Sequence, residues 1–170
     1  MSKLELIRDL YAYNEWANRQ LLECAAKAGD RVLAESRGTS FGSVLQTLDH
    51  VCDAQVIWLA RWTAGQNTAR PMESVSVNLA SLASAFEASH AALRSYVSGL
   101  TDSVLDSAIE YRDSRGNAYR RALWQLMLHC ANHGTYHRGE AAAALSALGY
   151  SPGDLDFVYW ERLREDRLEG

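Results

Sequence analysis

Three histidines follow one another at intervals of four residues in the second half of the chain. They are His129, His133 and His137, within the segment LMLHCANHGTYHRGE. On an α-helix this spacing places the three side chains in one row, because residues four apart are neighbours. Two imidazoles at this spacing can hold one metal ion, as in the H-x-x-x-H element of zinc enzymes. The segment therefore predicts a metal site.

This row cannot complete a metal site alone. His129 and His137 would be separated by about 12 Å along the helix axis, whereas zinc–nitrogen bonds are about 2.0–2.1 Å long. At most two of the three can bind one ion, and spacing leaves open whether the pair is His129 with His133 or His133 with His137. Of the two remaining histidines, His50 lies in a mostly apolar helical segment and is the better third ligand. We expect His90 to be a packing residue.

Four long helices are predicted to position these residues, on the basis of apolar side chains at helical spacing. They cover approximately residues 3–28, 41–62, 76–99 and 121–148. Thr39 or Ser40 is the expected N-cap of the second helix, and Gly149 is expected to end the fourth. Gly65 and Pro71 mark the loop after the second helix.

Two shorter elements are expected beside the long helices. Alternating residues around a Gly-Asn turn at 109–121 predict a short hairpin or an extended crossover, and residues after Pro152 predict a short C-terminal helix. The chain 1–170 should therefore fold as one all-α domain, an antiparallel four-helix bundle.

The composition of the chain argues against several classes of function. The chain is 48% hydrophobic and 22% charged, with a formal net charge of −4 and no basic block, so a nucleic-acid partner is not expected. No apolar run approaches the ~20 residues of a membrane span. The first residues lack the apolar core of a signal peptide, and the three cysteines are an odd number, which suits a reducing cytoplasm.

The second predicted helix carries two apolar stripes. One contains Leu45, Leu48 and Cys52, and the other contains Val51 and Trp58, among others. A helix that is apolar nearly all round is covered on both sides. A four-helix domain of this size leaves one of the two stripes without cover, so we expect a homodimer built partly on this helix.

Three motifs in order resemble the DinB-like (damage-inducible B) family, and the resemblance covers nearly the whole chain. The motifs are YNEWANRQLL (13–22), FGSVLQTLDHV (41–51) followed by IWLAR (57–61), and NHGTYHRGE (132–140). Carried across, the family's metal ligands fall on His50, His133 and His137. The resemblance thus leaves His129 as a structural histidine or as a residue that supports the ligands.

Two positions depart from the family pattern, and two amides are further site candidates. Glu140 stands where glutamine is common, and Gln55 stands where an aspartate often occurs. Glu140, one turn beyond His137, could act as a base or could anchor a ligand. Asn14 and Asn18 could orient ligand histidines, or they could be buried amides bonded to the backbone.

Three neutral histidines would leave an open position on one divalent ion, which is typical of catalytic sites. Imidazole suits zinc, nickel, iron and cobalt; zinc or nickel is our leading expectation. The resemblance implies a thiol-dependent S-transferase or isomerase that uses a low-molecular-weight bacterial thiol. We therefore expect a metal-dependent enzyme, either a thiol transferase or a hydrolase-like protein. The alternative is a metal-carrying binding or stress-response module without turnover. That alternative gains if neither Glu140 nor Asn14 approaches the ion's open face.

Overall fold

The computed structural model describes residues 2–65, 78–113 and 115–169, with side chains as far as residue 166. The elements in this part are, in chain order, α1 (Lys3–Ala26), α2 (Asp30–Ala34), β1 (Ser36–Thr39), β2 (Gly42–Ser43), α3 (Val44–Ala64), α4 (Leu79–Ser98), α5 (Asp102–Leu105), β3 (Ala108–Arg112), β4 (Ala118–Ala122), α6 (Leu123–Ala147) and α7 (Phe157–Glu169). The predicted all-α fold is confirmed.

The four long helices form a bundle with two helices running in each direction. Near the start of both α1 and α6, the Tyr11 hydroxyl donates to the Met127 carbonyl at 3.0 Å. Near the ends of the same helices, Leu21 and Leu145 share one apolar cluster, so α1 and α6 are parallel. Leu48, early in α3, belongs to that cluster too, so α3 runs the opposite way. This arrangement brings the first half of α3 against the second half of α6.

A polar layer crosses the middle of the bundle between two apolar clusters. One cluster includes Trp58, Leu93 and Met127, and the other includes Leu21 and Phe86. Between them lie buried polar side chains from all four long helices: Asn14, Asn18, Gln55, Ser89, His90 and Arg138. Buried polar groups are normally hydrogen-bonded, so this layer fixes how the helices meet.

Most predicted element boundaries agree with the structure. Residues 108–122 form the predicted hairpin, an antiparallel pair of β3 and β4. Gly149 follows α6 with φ +87°, and the amide of Tyr150 donates to the Leu145 carbonyl at 2.9 Å. This is a Schellman arrangement, with Gly149 at the end of the helix as predicted. Residues 76 and 77 of the third predicted helix, and Pro71, lie outside the described residues.

The start of the second helix was predicted incorrectly. It begins at Val44 rather than at Phe41, and its N-cap is Ser43, whose hydroxyl accepts from the Gln46 amide. Thr39 instead ends β1 of a small antiparallel pair, β1 with β2, and Ser40 lies in the turn between the two strands. Gly42 has φ +89°, a conformation that helical residues do not adopt.

Both apolar stripes of α3 are covered within one chain. Leu48 and Cys52 are buried in the cluster shared with α1, α4 and α6, and Trp58 is buried in the other cluster. The stripes therefore do not by themselves require a second subunit, because α4 and α6 flank the helix on two sides, and the homodimer stays a prediction. Among the described helices, none has the length and apolar character needed to cross a membrane.

Candidate metal centre

His50, His133 and His137 meet where α3 packs against α6; we name them the histidine cluster. Each offers one ring nitrogen, and these atoms all lie within 4.8 Å of one another. The Nε2 atoms of His50 and His133 are 2.9 Å apart. Neighbouring ligands of a tetrahedral zinc ion lie about 3.3 Å apart, given zinc–nitrogen bonds of about 2.0–2.1 Å. The cluster could therefore hold a metal ion.

Burial keeps two of these imidazoles in the form that binds metals. It lowers the pKa of His133 to about 4, assisted by the neighbouring His137 and His50. Burial is also the main cause that lowers the pKa of His50. Both side chains are thus neutral at pH 7, and the neutral imidazole is the metal ligand.

Glu140 fixes the orientation of the His137 ring. Its Oε2 lies 2.8 Å from Nδ1 of His137, so an Nδ1–H donor leaves Nε2 free for an ion. The other carboxylate oxygen accepts from the backbone amide and the hydroxyl of Ser40. The Ser40 hydroxyl, with a smaller effect from His137, lowers the pKa of Glu140. Such a carboxylate–histidine pair is the usual support of a metal ligand.

Ser40 and Phe41 are site residues that the sequence analysis missed. They form the turn between β1 and β2, which lies over the cluster. The Phe41 ring stacks on His50 with centroids 3.8 Å apart and meets His137 edge-on at 5.2 Å. The glycines at 38 and 42, both with positive φ, were the available signal for a turn here rather than a helix.

His129 lies outside the cluster. Its side chain is exposed, with the ring stacked on His133 at 6.0 Å and edge-on to Trp58 at 5.0 Å. It lines a cleft of about 490 Å³ between α6 and the β3–β4 hairpin, together with Arg61 and Tyr111. The structure thus places His129 beside the candidate centre, where it faces solvent.

Asn14 and Asn18 belong to the polar layer. Both amide nitrogens donate to Oε1 of Gln55, at 3.0 and 3.4 Å. Both amide oxygens accept from Arg138, a buried residue that the sequence analysis did not single out. Within the described residues neither amide hydrogen-bonds to the histidine cluster. The layer also contains His90, whose Nε2 lies 3.1 Å from Nδ2 of Asn18.

The family of this chain is shown by a match over nearly its whole length. The model of the DinB family matches residues 1–168. The chain belongs to the DinB family. Protein DinB of Bacillus subtilis (strain 168) is 24% identical over 163 residues, covering 87% of this chain and 89% of that protein.

Solved structures of DinB proteins share the fold. A DinB family member from Shewanella denitrificans superimposes with a TM-score of 0.67 at 17% identity, covering 91% of this chain and 92% of that one. A DinB-like protein from Bacillus subtilis gives a TM-score of 0.62 at 17% identity, covering 84% of this chain and 92% of that one. These similarities support the helical DinB-like fold described above.

Proposed function

We propose that this DinB-family protein is a metal-dependent enzyme whose single divalent ion is held by the histidine cluster. The observation that carries the proposal is the convergence of three imidazoles from two helices. Within the described part of the chain, no fourth His, Cys, Asp or Glu joins them. Three protein ligands with an open position are typical of catalytic rather than structural sites.

We further propose that the reaction is thiol-dependent S-transfer with a low-molecular-weight thiol of the reducing cytoplasm. An ion in this position acts as a Lewis acid and lowers the pKa of a thiol. Three imidazole ligands add no negative charge, which favours an anionic thiolate in the open position. Glu140 and Ser40 hold His137 in place, and Phe41 covers the His50 ring.

The hydrolase-like alternative receives less support. Hydrolysis is accelerated by a general base beside the open position. Glu140 is already engaged by His137 and Ser40, so it is not free to act as that base. Thiol activation by an ion needs no such base. The cleft beside His129 lies one helical turn from His133 and offers space for an electrophilic substrate.

The second candidate is a metal-carrying binding or stress-response module without turnover. One observation favours it: Asn14 is engaged by Arg138 and Gln55, and Glu140 by His137 and Ser40. Neither residue is therefore available as an acid–base partner. Turnover with a thiol decides between the two candidates.

The test begins with elemental analysis of tag-free protein, for which we expect about one divalent ion per chain, zinc or nickel in the first place. His50→Ala should lower this stoichiometry far below one, because it removes a direct ligand. His90→Ala is the control and should leave the stoichiometry unchanged. Full occupancy in the His50 variant would exclude this site.

Activity is then measured with bacterial low-molecular-weight thiols and an activated aryl chloride. In this reaction a carbon–sulfur bond forms, and chloride and a proton leave. Metal-loaded wild-type protein should accelerate it, and His50→Ala should not. Metal-replete protein that accelerates the reaction with none of the thiols supports the binding module instead.

A further inference from the structure

A second cavity lies away from the histidine cluster. It has a volume of about 650 Å³ and is bounded by α1, α4 and α7. Its walls are largely apolar and include Trp16, Leu93, Val97 and Trp160. No member of the histidine cluster lines it. A concave, mostly apolar space with a few polar groups is typical of small-molecule sites.

The mouth of this cavity carries an excess of positive charge. Arg8, Arg19 and Arg94 all line it. Two carboxylates face them: Glu15 pairs with Arg19 and Arg94, and Glu87 pairs with Arg19. Arg8 is exposed and has no ion-pair partner among the described residues. Three guanidinium groups against two carboxylates favour an anionic ligand.

A buried hydrogen-bond donor lies in the cavity lining. Asn18 accepts from Arg138 through its oxygen, so its amide nitrogen must donate to Nε2 of His90. Burial lowers the pKa of His90 to about 4, which makes the ring neutral at pH 7. The proton is therefore on Nδ1, and this atom is buried without a hydrogen-bond partner among the described residues. An unpaired buried donor is costly unless a ligand or water satisfies it.

Behind this lining lies a buried cation. Arg138 is 2% exposed, and its guanidinium donates to Asn14, Asn18 and Thr135. These acceptors are all neutral, and within the described residues no carboxylate bonds to it. Buried charges are normally paired. Asn14 both bonds to Arg138 and lines the cavity, so one side chain connects this cation to the cavity lining.

We propose that this cavity is a second ligand site, for a small molecule that combines a carboxylate with a flat aromatic body. The carboxylate would meet the arginines of the mouth, and the uncharged His90 ring would line the site. The aromatic body would lie between the tryptophan and leucine side chains. The site is independent of the metal centre, so its test does not depend on the proposed enzymatic function.

The test uses 1-naphthoate as the probe and 1-naphthalenemethanol as its uncharged counterpart, in titration calorimetry with the full chain. We expect one naphthoate per chain and at least about tenfold weaker binding of the alcohol, which corresponds to about 1.4 kcal/mol. Naphthoate should bind equally well to His50→Ala, because the cavity lies apart from the histidine cluster. Loss of binding in that variant would assign the probe to the metal centre and overturn the proposal.

Two variants locate the probe. Ala12 lines the cavity and is exposed, so Ala12→Trp should obstruct the mouth without disturbing the core and should weaken binding at least about tenfold. Ala26→Trp, at the exposed end of α1, is its control and should have no effect. Arg94→Gln should weaken naphthoate but not the alcohol, whereas Arg121→Gln, on the hairpin, should change neither. Unaltered naphthoate binding in both Ala12→Trp and Arg94→Gln would refute the site.

Discussion

The second nitrogen of each ring decides what a histidine can do in this protein. In His137, Nδ1 is held by Glu140, so Nε2 is presented to the cluster. In His90, Nε2 accepts from Asn18, so the proton remains on Nδ1. Both rings thus carry the proton on Nδ1, but Nε2 is left free for an ion in His137 and is engaged by Asn18 in His90, so the two histidines differ in role.

At the residue scale, we predict that His129→Ala still purifies with metal but releases it to a chelator sooner than wild type. The His129 ring packs on His133 and Trp58, so its loss should loosen a ligand without removing one. Weakening of such supporting contacts costs about 10–100-fold in metal affinity or activity. His133→Ala should hold no metal. The measurement is chelator competition on the two variants side by side.

Helical circular dichroism controls for folding in this comparison. If His129→Ala is folded and as empty as His133→Ala, the ligand pair on α6 must be His129 with His133. The cluster as assigned would then be wrong.

A second prediction concerns the carboxylate beside His137. Glu140→Gln keeps a hydrogen-bonding group of the same length but loses the negative charge that holds the Nδ1–H donor. We expect metal affinity to fall by about 10–100-fold, as measured by competition with a fluorescent chelator. Glu161→Gln, at a half-buried position on α7, is the control. An unchanged affinity would show that Glu140 does not support the ligand.

At the scale of elements, the end of α6 depends on a glycine. Gly149 has φ +87°, which an L side chain adopts only at a cost. Gly149→Ala should therefore lower the free energy of unfolding by about 1 kcal/mol in urea titrations. Gly139 lies inside α6 with open space around its Cβ position, so Gly139→Ala should raise stability by up to about 1 kcal/mol. Equal effects of the two changes would contradict this account.

At the scale of the whole molecule, the homodimer remains a prediction. Partly exposed apolar side chains remain on the outer face shared by α3 and α4, including Val56 and Leu59. A dimer built on α3 would use this face. Light scattering at micromolar concentration should give twice the 18.9 kDa chain mass. A mass equal to one chain would contradict the prediction.

Acid should destabilise the metal-free protein partly through His90. The folded-state pKa is about 4 because the ring is buried, with Glu15 and Glu87 opposing this shift; an unfolded histidine titrates near 6.5. Between these pH values the unfolded chain binds one proton more than the folded chain. The contribution of His90 to the free energy of unfolding is therefore fully present above about pH 6.5 and is lost as the pH falls towards 4. The loss is at most about 3 kcal/mol.

The matching measurement is urea unfolding of metal-free wild type and His90→Gln between pH 7 and pH 4.5. Glutamine keeps an acceptor for Asn18 but does not titrate, so the variant should lose less stability over this interval. Parallel pH profiles for the two proteins would exclude His90 as a source of acid sensitivity.

Local sequence patterns determined the helices, the hairpin and the cap at the C-terminal end of α6. Gly149 and the apolar periodicity of α6 act within one or two turns, so they can be read without knowing the fold. The histidine row was equally visible, because helical spacing fixes which side chains are neighbours. Spacing alone left the ligand pair open, and the family resemblance indicated His133 with His137.

Only the tertiary structure decided what surrounds the cluster. Ser40 and Phe41 reach it because the β1–β2 turn folds over α6, a contact across about 100 residues of sequence. The same packing brings Asn14 to Arg138 rather than to a histidine. Such contacts depend on how α1, α3 and α6 are arranged in space, and the periodicity of a single helix contains no information about its neighbours.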